Sequence, residues 1–302
     1  MSTFTLLAGC LALGILVNLV RPVPQRVIHG LNAWILRVAL PALALTALPR
    51  LEFTRDLWFL IAAMWLVFLG GWAVMAAAGA RLGWSRVRTG AMALVAGFGN
   101  TAFVGYPMIE ALRGAAVMPL AVVADQFGCF IALATGGVIV ASWYGGDRTH
   151  PLALARRIVL FPPFIAAVAS FAVEPLGGWP AAIDHALQLI GATLSPLALL
   201  SIGLQLSWRV SPGELRAAGV ALGWKLLAAP ALVGLLGLAL GVRGPIFAVG
   251  VLQAAMGPMV SAAILAEEHN LDAAVANTTL AIGLLVSLVT VPVIDFALGP
   301  TP

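Results

Sequence analysis

The chain has 302 residues, 62% of them hydrophobic and 9% charged, with a net charge of +4. Soluble domains carry about 25% charged residues, so a soluble fold is excluded and an all-α polytopic membrane protein is expected. The basic residues fall in short loops without interleaved aromatics, which excludes a nucleic-acid partner and leaves the lipid bilayer as the surroundings.

About 20 mostly apolar residues cross a bilayer, and ten such stretches are predicted, at 4–20, 27–48, 57–79, 89–112, 117–143, 157–175, 183–206, 215–240, 244–267 and 273–298. The first lacks a basic leader and a small-x-small exit site, so it reads as a retained helix. Cys10 and Cys129 lie inside apolar stretches and read as packing residues. His29, His150, His185 and His269 have no metal-ligand spacing, so no metal or cofactor is expected. Alternate connections carry Arg21 with Arg26, then Arg81, Arg86 and Arg88, then Arg148, Arg156 and Arg157, then Arg209 and Arg216. The others carry fewer arginines, accompanied by Glu52, Asp56, Glu174 and Asp184. The positive-inside rule makes the first set cytoplasmic and puts both termini outside. A single lysine, Lys225, in an Ala/Leu/Arg-rich chain points to a bacterial inner membrane.

The fourth stretch contains Gly97-Phe98-Gly99-Asn100-Thr101-Ala102-Phe103-Val104-Gly105-Tyr106-Pro107. In a helix interior Gly costs about 1 kcal/mol and Pro about 3, so the helix is expected to break here. The ninth breaks likewise at Gln253-Ala254-Ala255-Met256-Gly257-Pro258-Met259-Val260-Ser261. Broken backbone at membrane depth survives where it is buried in protein or lines a cavity, and paired breaks mark a secondary transporter's substrate site. Free carbonyls are expected near Gly97–Asn100 and free amides near Tyr106–Ile109, with the same pattern in the second break; the amide ends favour an anion. The candidate substrate contacts are Asn100, Thr101, Gly105, Pro107, Gln253, Gly257, Pro258 and Ser261, and the ligand they suit is a carboxylate. The plainer alternative is that Gly and Pro merely kink two packed helices.

The polar loop 144–156 divides the chain into 1–146 and 147–302, five stretches each. An odd number per half makes any internal repeat inverted. Leu40-Pro41 matches Ser195-Pro196, Pro107 matches Pro258, and Asp125-Gln126 matches Asn277-Thr278 at nearly one offset. Asp125 is the acidic residue deep inside a stretch, and such a group is functional by default. It is expected to carry the proton or, with Gln126, Asn277 and Thr278, to bind Na+; the alternatives are a neutral structural hydrogen-bonder or a permanent partner of a base. Arg37, before Pro41, would balance an anion or pair with Asp125, although snorkelling is the plainer reading for it and for Lys225. Ser195, Pro196 and Gln205 either line the site or join helices.

Asn100-x-x-Phe103-x-Gly105-x-Pro107 resembles the broken-helix motif of the auxin efflux carrier family, which includes plant PIN-type carriers and bacterial relatives. Val38-Ala39-Leu40-Pro41, Pro162-Pro163, and Pro196-Leu197-Ala198-Leu199 with Gly203 are similar to that family too. The resemblance spans essentially the whole chain. It implies ten transmembrane helices in two inverted five-helix repeats, like the bile-acid sodium symporters, with helices 4 and 9 broken and crossing at the substrate site. A scaffold and a transport domain, each drawn from both repeats, are implied as well. The long central loop of plant members is short here, so neither loop-based regulation nor auxin carries over.

The expected function is secondary active transport of a small organic anion by elevator-type alternating access, proton-coupled or uniport. A sodium-coupled symporter is the alternative, and a homodimer is one assembly open to it. A membrane-embedded enzyme would need paired catalytic groups at one depth, and none is paired here. A channel would show charged or carbonyl rings. ATP drive would need a phosphate-binding loop, and the sequence contains none.

Overall fold

In the computed structural model the described residues are 3–21, 23–146, 156, 158–173, 175–205 and 212–299. Arg148, His150, Arg157, Glu174 and Arg209, invoked above, lie outside them. The described residues form helices and no strand. In order they are α1 (Thr3–Val20), α2 (Gln25–Arg50), α3 (Leu57–Leu82), α4 (Arg86–Gly97), α5 (Gly105–Arg113) and α6 (Ala115–Gly145). Then come α7 (Pro162–Ser170), α8 (Ala181–Gln205), α9 (Leu215–Ala239), α10 (Gly244–Ala255), α11 (Val260–Glu268) and α12 (Ala273–Leu298). Six of these, α2, α3, α6, α8, α9 and α12, are long and apolar enough to cross a membrane. The other four expected stretches hold shorter or interrupted helices.

Local chemistry sets the ends. Gly83 stops α3 in the left-handed conformation, which costs a glycine nothing. Ser85 caps α4 through the Arg88 amide, and Asp272 caps α12 through the Val275 amide. Arg88 then ties these starts together, bonding both Asp272 and Glu214. Two prolines inside long helices are preceded by π-helical turns: Ile35–Ala39 before Pro41, and Trp224–Ala228 before Pro230. A widened turn relieves the clash and the missing donor that proline brings.

The helices pack as two groups. In one, α1 runs along α8, and α2 lies against α7 and α8. The α1–α8 contact is close because Gly14 faces Gly203: a Cβ on Gly14 would meet the Leu200 carbonyl at 2.4 Å. Small residues are what allow helices to approach closely in lipid, where no hydrophobic effect drives them together. In the other group α3, α4, α6 and α9 to α12 pack on one another. Helix α5 lies between the groups, touching α1 and α8 on one side and α6, α10 and α12 on the other.

Candidate functional site

The two breaks meet and run antiparallel, with Gly99 opposite Pro258. The Asn100 amide donates to the Gly257 carbonyl at 2.8 Å, and the Met259 amide donates to the Phe98 carbonyl at 3.0 Å. Each interrupted helix therefore satisfies backbone groups that the other has freed, as a lipid environment requires. Helix α12 seats against this crossing through small residues: a Cβ on Gly283 would stand 2.3 Å from Pro258 Cδ.

The free amides expected near Tyr106–Ile109 are not there. After Asn100 the chain curls into a tight turn that uses them. The Asn100 carbonyl accepts from the Val104 and Gly105 amides, Asn100 Oδ1 from the Phe103 amide, and the carbonyls of Ala102 and Val104 from Tyr106 and Met108. Pro107 has no amide to satisfy and sits in the first turn, where proline is tolerated. The second break has no polar side chain in the equivalent place. The Ala262 and Ala263 amides turn back to the Met259 carbonyl, while those of Val260 and Ser261 form no hydrogen bond among the described residues. The start of α11 is thus the one of the two that keeps the donors and the half-dipole an anion would use.

Beside the crossing, Asp125 is 3% exposed and sits with Gln126 on a π-helical turn of α6, Val123–Phe130. Such turns recur at functional sites. The Thr101 hydroxyl donates to Asp125 Oδ1. The Tyr106 hydroxyl donates to Oδ2 at 2.8 Å and Gln126 Nε2 donates to the same oxygen at 2.6 Å. These three donors are the hydrogen-bond complement of a carboxylate. Arg37 is not among the partners of Asp125. Neither are Asn277 and Thr278: Asn277 is exposed on α12, and Thr278 is buried there without a bond to Asp125 or Gln126. Gln253 is fully buried, and its Nε2 donates to the carbonyls of Thr101 (3.3 Å) and Ala121 (3.4 Å), joining α10 to the first break and to α6. Asn100 Nδ2, Gln126 Oε1 and Gln253 Oε1 are buried without a partner among the described residues. An orphaned buried polar atom costs about 1–3 kcal/mol, so three around one crossing mark a place built to meet something polar.

Lys225 does not snorkel. It is fully buried, and its Nζ donates at 2.6 Å to the carbonyl of Ala254, at the C-terminal end of α10. Nζ also stands 3.0 Å from where a Cβ on Gly99 would lie. A half-helix C-terminus attracts a cation, and here the protein supplies its own. Of the widened turn Trp224–Ala228 that carries it, Trp224, Lys225 and Leu226 are buried while Leu227 is exposed.

Two cavities reach the crossing from the end of the bundle where α1 turns into α2 and α3 into α4. One, of about 310 Å³, is lined by His29, Asn32, Arg37, Asn100, Gln205 and Ser261 among others. The second, of about 160 Å³, reaches Asp125 and Gln126 between Phe103, Phe130 and Phe161. They share Leu36, Phe103, Met259 and Ser261. A third, of about 490 Å³, enters from the opposite end and is lined by Thr46, Arg50, Glu110, Gln188 and Ser195 but by no residue of either break. All three lie between the two helix groups. Pro41 and Pro196 fall on the stretches of α2 and α8 that separate the first pair from the third.

The structure thus gathers Asn100, Thr101, Gly105, Pro107, Gln253, Gly257, Pro258, Ser261, Asp125 and Gln126 around one point, with Arg37 and Gln205 at a cavity wall. Tyr106 and Glu110 were missed. Tyr106 lies inside the broken motif and is one of two tyrosines in the chain, which was a signal. Glu110, near the end of its stretch, gave none.

The sequence profile of a family described as "Membrane transport protein" matches residues 12–152 and 148–294. The chain is 28% identical, over 272 residues, to an uncharacterized transporter of Methanothermobacter thermautotrophicus, covering 87% of this chain and 86% of that one. It is 28% identical over 124 residues to an uncharacterized transporter of Methanocaldococcus jannaschii, 40% of this chain and 39% of the other. A similarity of 27% over 112 residues, 36% of this chain and 18% of the relative, links it to auxin efflux carrier component 3a of Oryza sativa subsp. japonica.

Proposed function

The chain belongs to this membrane transport protein family, that of the auxin efflux carriers, and from that premise we propose that it is a secondary active transporter of a small organic anion. It is a multi-pass membrane protein, and family membership speaks against an enzyme. The observation that carries the carboxylate reading is the start of α11. Two unbonded amides, Val260 and Ser261, open onto a cavity that also holds Asn100, with its orphaned Nδ2, and Arg37. A carboxylate would accept from the amides and Asn100 while Arg37 balances its charge.

Movement of the crossing group of helices past α1, α2, α7 and α8 would expose the site to each side in turn. That assigns the first group to transport and the second to a scaffold, both drawn from two inverted repeats, 1–146 and 147–302. Proton coupling rests on Asp125, which lines the chamber beside the crossing; without coupling, the protein is a uniporter. The sodium alternative is weakened by Lys225, which already fills the cation-attracting end of α10. The orientation remains as the loop arginines argue, in a bacterial inner membrane with both termini outside.

The test is uptake into proteoliposomes of malonate, malate, lactate and an aromatic acid, under a pH gradient, a sodium gradient or neither. Saturable uptake driven by pH and lost in Asp125→Asn is the expected result. Sodium drive would shift the reading to a symporter, and no uptake of any carboxylate would overturn the anion reading.

A further inference from the structure

The cavity at the end away from the α11 start stops short of the crossing, and a single side-chain contact marks its floor. On α8 its lining ends at Ser195, whereas the opposite chamber begins at Ile202. On α5 it ends at Glu110, one helical turn beyond the Tyr106 that holds Asp125. Ser195 Oγ donates to Glu110 Oε2 at 2.5 Å. Ser195 belongs to the α1, α2, α7, α8 group, whereas α5 carries one half of the crossing. The bond therefore spans the boundary along which the two groups would slide.

The charged neighbours are engaged elsewhere. Arg50 of α2 pairs with Asp184 of α8 at 3.1 Å, and Gln188 Nε2 donates to the same aspartate at 2.8 Å. Arg113, on α5 itself, pairs with Asp295 of α12. His185 of α8 is exposed, and α6 brings Ala115, Ala116, Met118 and Pro119 to the cavity but no ionisable group. A hydroxyl donating to a charged carboxylate forms a bond about twice as strong as one to a neutral acceptor.

We propose that the Glu110–Ser195 bond closes the far side of the substrate route. It holds α5 against α8, and its loss lets the two part and joins the far cavity to the crossing. The inference rests on the alternating-access reading, but its test needs no substrate.

In a Cys10→Ser, Cys129→Ala background, Ala47→Cys reports on the far cavity and Ile264→Cys on the opposite chamber. Each is reacted with a charged maleimide in lipid nanodiscs at neutral pH. Glu110→Gln and Ser195→Ala should each raise labelling at 47 about tenfold, the scale of one charge-assisted bond, and lower it at 264. The double variant should go no further than either single one. A rise at 47 without a fall at 264 would indicate local loosening and overturn the proposal, as would unchanged labelling at 47 in both single variants. Reciprocal labelling in a protein that takes up no carboxylate would sink the substrate reading and leave the gate standing.

Discussion

The two breaks solve one backbone problem in two ways. At the start of α5 the chain closes on itself, because Asn100 supplies both a carbonyl and a side-chain oxygen to the amides of Phe103, Val104 and Gly105. At the start of α11 the preceding Met256-Gly257-Pro258-Met259 has no such side chain, and the amides of Val260 and Ser261 stay open. Matching positions of two broken helices are therefore not equivalent in chemistry. The first break positions Asp125 through Thr101 and Tyr106, and the second leaves backbone donors open. Pro107 and Pro258 look alike in the sequence, yet only the second stands next to open amides.

Four substitutions would break or sharpen that contrast. The largest effect is expected from Gly283→Val, whose Cβ would already stand 2.3 Å from Pro258 Cδ. Forcing the second break off the first should abolish uptake and destabilise the fold by about 1–3 kcal/mol or more, read as a drop in the melting midpoint in detergent. Next is Asn100→Asp. It keeps an oxygen for the Phe103 amide but sets a negative charge where the anion would sit, and should cut uptake about a hundredfold with little change in melting. Val260→Pro comes third and separates the breaks most sharply. Met259 is already extended, with φ −82° and ψ 132°, as a residue before proline must be. The lost N–H has no internal partner, so melting should hold while KM for the carboxylate rises about tenfold, the worth of one hydrogen bond to a charged group. An unchanged KM would remove the α11 start from the site. The smallest is Asn277→Ala, on the exposed face of α12, for which kinetics should stay within about twofold of wild type. A large effect there would bring Asn277 back to the coupling site.

The breaks were legible because Gly, Pro and Asn are costly inside a helix and stand out in an apolar run. Asp125 was legible for the same reason, as a carboxylate that lipid would not tolerate. Lys225 was not. Whether a lysine midway along a helix reaches for the surface or turns inward depends on helix rotation, which packing and the widened turn at Trp224 decide. The pairing of Asn277 and Thr278 with Asp125 rested on an offset between halves, and apolar helices carry little register information to support one. The unequal amides of the two breaks needed coordinates, since they depend on how the chain curls after Asn100.

The mutual sealing of the breaks also sets an order of events while the protein is being made. Thr101 and the glutamine that donates to its carbonyl, Gln253, are 152 residues apart, and the Asn100 amide waits slightly longer for Gly257. Until the ribosome has delivered α10 and the break after it, the first five helices hold unpaired peptide groups at membrane depth. A nascent chain in that condition favours the insertion machinery, or any partner that shields it, over open lipid. Chains stopped before Gly257 should accordingly be cleared by membrane proteases faster than chains stopped after α11. A pulse-chase comparison of the two truncations would show whether the second break is the point at which the cell treats the protein as finished.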